Sequence, residues 1–84
     1  MTRTGIRYVL LYRTPARWRF TVGEDPEALA CGGFDDLPGH IPFETAEARF
    51  RAMVFESYGY EIEPEWQEDR PGWWGADLNI PPSA

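Results

Sequence analysis

The chain has 84 residues, 14 acidic side chains against 8 basic ones, a formal net charge of −6 and no lysine. That length supplies one hydrophobic core and no more, so one domain is expected over residues 1–84, with an ordered core of about 5–63 and a tail, 64–84, packed on it. A single cysteine excludes an intramolecular disulfide and a cysteine-rich zinc site. The apolar stretch from Tyr8 to Tyr12 is too short to span a membrane, and residues near Arg3 and Arg7 lack the apolar run of a secretory signal. These features predict a cytoplasmic protein.

The charge divides unevenly along the chain. Residues 1–23 carry Arg3, Arg7, Arg13, Arg17 and Arg19 and no carboxylate, a total of +5. The remainder carries Arg49, Arg51 and Arg70 against all 14 acids, a total of −11. Such asymmetry marks an anion-binding half, an acidic docking half, or two halves that neutralise one another in the fold. Arginine without lysine also fits the codon bias of a GC-rich genome, so each arginine is not by itself a sign of guanidinium recognition.

In chain order, Ile6, Tyr8, Leu10 and Tyr12 alternate with Arg7, Val9, Leu11 and Arg13, the period of a strand. Both sides of its middle are apolar, which predicts a central strand or one covered on both faces. Thr14-Pro15-Ala16 breaks the pattern, and Trp18, Phe20 and Val22 then alternate with Arg17, Arg19 and Thr21. A hairpin of about 6–13 with 17–23 follows. Gly23 to Pro26 reads as a turn, and Ala28 to Cys31 as a third strand ended by Gly32-Gly33. Residues 34–43 hold Pro38, Gly39 and Pro42 and read as a loop.

A helix is expected over about 45–58, with Thr45 as N-cap, Phe50, Met53 and Val54 on its apolar face, and Gly59 as its stop. Tyr60 to Glu63 predicts a short last strand ended by Pro64, and the Pro- and Trp-rich segment beyond it predicts an irregular tail with a turn at Arg70-Pro71-Gly72. The expected fold class is therefore α+β: a small two-layer domain of an antiparallel hairpin or three-stranded meander, one helix and that tail.

No motif carries catalysis. His40 has Asp35, Asp36 and Glu44 nearby in sequence, which is too few groups for a recognisable metal or acid–base set. Cys31 between Ala30 and Gly32 reads as a small buried residue. No cofactor or metal is expected, and the chain reads as non-catalytic.

Two binding candidates remain. Glu61, Glu63 and Glu65 alternate with apolar groups, and Glu68, Asp69, Trp73 and Trp74 follow. Acidic groups studded with tryptophan suit a partner protein with a basic surface, charge speeding encounter and aromatics supplying affinity. An inhibitor, immunity-type or accessory factor of a GC-rich bacterium, its phage or a plasmid fits that pattern, with nucleic-acid mimicry as one form of it. Alternatively, Arg7, Arg13, Arg17 and Arg19 on the hairpin contact nucleic acid, against the repulsion of a chain at −6.

Overall fold

A computed structural model describes residues 5–25 and 28–80. Its elements run β1 (Gly5–Arg13), β2 (Trp18–Asp25), β3 (Ala28–Gly33), α1 (Phe43–Tyr58), β4 (Gln67–Arg70) and β5 (Trp73–Ile80). The strands form one sheet in the order β3-β2-β1-β5-β4, each antiparallel to its neighbour. The architecture is α+β, with α1 packed on one face.

The period-2 pattern explains the inner face. Val9 and Leu11 of β1 and Trp18 and Val22 of β2 are buried with Ala46, Phe50 and Val54 of α1. Phe20 bridges the layers, its ring 5.8 Å from Phe50 and 5.1 Å from Phe34. Each fully buried side chain of this size contributes about 1.5–3 kcal/mol. The pairing of β1 shifts between Ile6 and Tyr8 on both sides, and this irregularity returns Ile6 to the buried set although it lies three residues from Val9.

The loop after β3 is pinned to β2. Trp18 N–H donates to the Leu37 carbonyl at 3.0 Å, Phe34 N–H donates to the Trp18 carbonyl at 2.9 Å, and the Trp18 indole N–H donates to the Ile41 carbonyl at 2.8 Å. Its polar backbone is thereby paired while Phe34 and Leu37 enter the core.

Three expectations need correction. The helix starts at Phe43, and Pro42 is its N-cap: the Pro42 carbonyl accepts from the N–H groups of Thr45 (3.1 Å) and Ala46 (3.2 Å), so Thr45 lies inside the first turn. Residues 60–63 form no strand. They run beside the helix, with Ile62 buried and Glu61 and Glu63 exposed, because the alternation is satisfied by packing on α1 without a ladder. Most of the supposed irregular tail is sheet: β4 and β5 make a hairpin, and β5 pairs with β1 from Tyr12↔Trp73 to Ile6↔Ile80. Its turn is the expected one, with Gly72 at φ 83° after Pro71, a conformation that favours glycine. Pro64 and Pro71 fall outside the strands and therefore do not interrupt them.

Gly59 closes the helix as expected, at φ 79° with its N–H donating to the Phe55 carbonyl at 2.9 Å. Among the described residues, no helix is long and apolar enough to cross a membrane.

Candidate interaction face

The helix covers one side of the sheet and leaves the other open. Strand register places the open-side residues in three rungs, since directly opposed residues share a face. The first is Leu29, Gly23, Tyr8 and Asp77; the second is Cys31, Thr21, Leu10, Gly75 and Gln67; the third is Gly33, Arg19, Tyr12, Trp73 and Arg70. Apolar residues on both sides of β1 thus reflect a central strand whose second face meets solvent.

The third rung is a stack. Tyr12 and Trp73 rings lie 4.2 Å apart and 11° from parallel, and the Arg70 guanidinium sits 4.2 Å from the Trp73 ring centre. In the first rung the Tyr8 ring leans over Gly23, where a side chain would collide with it. The middle of the face is hollow because Gly75 has no side chain. A Cβ placed there would lie 3.4 Å from Asp69 Oδ2 and 3.6 Å from Leu10 Cδ1.

That hollow is a cleft of about 430 Å³ around Gly75, with Tyr8 and Leu10 on one side and Glu65, Asp69 and Asp77 about it. Three carboxylates elsewhere are matched by arginines: Asp35 by Arg17, Asp36 by Arg49 (3.4 Å) and Glu47 by Arg51 (3.8 Å). Among the described residues, no arginine pairs with Glu65, Asp69 or Asp77. The cleft is therefore an open, mostly polar site with excess negative charge beside the Tyr8 and Leu10 side chains, which can hold a cation and the aliphatic stem that carries it.

The seven acidic and tryptophan candidates divide among four places. Glu65, Asp69 and Trp73 belong to the open face. Glu61 lines a second groove, of about 470 Å³, on the far side of the molecule beside Phe55, and Glu63 is exposed on the same connector. Glu68 accepts from the Gly72 N–H at 3.3 Å and so serves the β4–β5 turn. Trp74 points to the helix side, 4.3 Å from Phe43 and 5.6 Å from Trp18 between ring centres, and is part of the core packing.

The four hairpin arginines are likewise not one patch. Arg13 lies 4.9 Å from the Trp18 ring and donates to the Ile41 carbonyl at 3.3 Å, on the helix side. Arg17 pairs with Asp35. Arg19 is exposed on the open face and Arg7 is exposed at the β1 irregularity. Asp35 and Asp36, the sequence neighbours of His40, are both engaged by arginines. Cys31 is exposed, its Sγ 3.6 Å from Thr21 Oγ1, which corrects the expectation of a buried thiol: β3 is an edge strand and Cys31 is on its open side.

Sequence reasoning missed Tyr8, Leu10, Gly75 and Asp77. The available signal was the second apolar side of β1; the partners that complete the site lie 55 to 69 residues away in sequence. No protein family, curated protein or solved structure matches the chain.

Proposed function

We propose that the chain is a non-catalytic binding protein whose open sheet face takes up a basic segment of a partner protein. An arginine or lysine head group sits among Glu65, Asp69 and Asp77, while its stem lies on Tyr8 and Leu10. The observation that carries this reading is the carboxylate-rimmed cleft at Gly75, whose acids have no arginine partner among the described residues. Charge-assisted hydrogen bonds fix the cation, and the neighbouring Tyr12–Trp73 stack offers a flat apolar surface to flanking residues. The net charge of −6 raises the encounter rate with a basic partner. Inhibitors, immunity-type factors and nucleic-acid mimics act on partners of this kind.

Nucleic acid is a poorer fit for the same face. Arg13 and Arg17 are occupied by internal contacts, and the cleft acids repel phosphates.

The test is calorimetric titration with an octa-arginine peptide, using octa-glutamate as control. Saturable binding is expected that weakens as salt rises. It should fall at least about tenfold in the triple variant Glu65→Gln, Asp69→Asn, Asp77→Asn, a loss of about 1.4 kcal/mol spread over three charged contacts. Equal binding by the variant with its fold retained refutes the assignment of the cleft.

A further inference from the structure

The two edges of the sheet differ in a way that the binding face does not explain. β4 is a protected edge: it has four residues, three of them charged, and its pairing with β5 is irregular between Glu68 and Arg70. β3 has none of these devices. Its six residues, Ala-Leu-Ala-Cys-Gly-Gly, include no charge and no proline, and they pair with β2 in unbroken register from Glu24↔Ala28 to Arg19↔Gly33. Among the described residues no strand pairs with its other side. Alternate backbone N–H and C=O groups on that side lack a ladder partner, which is the template for adding a strand.

We infer that β3 pairs antiparallel with β3 of a second copy of this chain, about a two-fold axis at Cys31, to form a continuous ten-stranded sheet. The sequence of the strand is self-complementary in this register. A two-fold normal to the sheet keeps open-side residues on the open side, so Cys31 faces the partner's Cys31 and Leu29 faces the partner's Gly33. Leu29 is 64% exposed in the single chain. Gly33 presents no side chain of its own there and is covered by the stems of Arg17 and Arg19: a Cβ on Gly33 would lie 3.1 Å from Arg17 Cδ and 3.4 Å from Arg19 Cγ. Leucine thus lands on arginine methylenes instead of in water.

A chain at −6 resists self-association over most of its surface, and β3 is the uncharged strip where two copies can meet. The cleft at Gly75 lies three strands away and remains open in both copies.

Sedimentation equilibrium under reducing conditions, up to millimolar concentration, tests the pairing. A concentration-dependent dimer of about twice the 9.7 kDa chain is expected. Cys31→Lys sets two like charges directly opposite each other on an exposed position and should weaken the dimer by roughly tenfold or more. Leu29→Lys, also exposed, is the second variant should the first fail to fold. A monomer at every concentration overturns the inference and leaves the edge to a strand of another protein. A dimer that persists unchanged in a folded lysine variant overturns it as well.

Discussion

Trp73 and Trp74 are adjacent in sequence and point to opposite faces, so truncating each should have distinct consequences. Trp74→Ala removes a ring packed on Phe43 and Trp18 at the junction of β5, β2 and α1. A buried tryptophan truncated to alanine costs about 3–5 kcal/mol; Trp74 is only partly buried, which places its cost near the lower figure. Trp73→Ala loses one stacked ring pair, about 0.5–1.5 kcal/mol, and one exposed cation–π contact, about 0.5–1 kcal/mol. The expected costs are therefore about 3 and about 1.5 kcal/mol. An 84-residue domain has about 4–12 kcal/mol to lose, so Trp74→Ala is a severe lesion and Trp73→Ala a moderate one. At about 4–8 °C per kcal/mol, melting temperatures should fall by about 12–24 °C and 6–12 °C respectively. Urea unfolding followed by far-UV circular dichroism reads both without relying on tryptophan emission. Equal losses, or a larger loss for Trp73→Ala, would refute the placement of β5 and the identity of its inner face.

Further outcomes follow from single positions. Gly75→Val fills the hollow with a β-branched residue suited to a strand; octa-arginine binding should fall at least about tenfold while stability changes by less than about 1 kcal/mol, measured by calorimetry and urea unfolding. Gly39→Ala drives a Cβ into the Thr14 carbonyl and against Pro15, so the loop must shift; a loss of about 1–3 kcal/mol is expected in the same unfolding assay. Tyr58 is pushed up to about 12 by burial, by the charge of Glu24 and by its hydrogen bond to Glu24. The unfolded phenol ionises near its ordinary value of 10 while the folded one holds its proton, so this group's contribution is complete below pH 10 and is lost as pH rises towards 12. Ultraviolet titration should resolve one late tyrosine that Tyr58→Phe removes, and the variant should lose less stability over that interval.

The hairpin and the helix were legible because each buries one side. Trp18, Phe20 and Val22 repeat at the strand period, and Ala46, Phe50 and Val54 recur at the helical one. β5 shows the same logic in the structure, with Trp74, Ala76 and Leu78 packed against the core, yet its neighbours Pro71, Gly72 and Gly75 weigh towards a loop in any local window. Local composition records where turns fall and says little about which strand lies between them. The site was still less legible. Glu65, Asp69 and Trp73 stand out as acids and an aromatic, but Glu61, Glu63, Glu68 and Trp74 look alike in sequence and separate only when the sheet assigns each a face. Tyr8 meets Asp77 and Leu10 meets Gly75 through the β1–β5 pairing, a contact between distant parts of the chain that no spacing rule contains.

The central claim is that the open face, at Gly75, holds a basic segment. Amide and indole chemical shifts followed by NMR during titration with octa-arginine test it most directly. The account predicts that the largest shifts fall on Tyr8, Leu10, Asp69, Gly75 and Asp77, with the Trp73 indole moving and the buried Trp18 indole still. Shifts centred on Phe55 and Glu61 beside the helix, or no saturable shift at low salt, would contradict it.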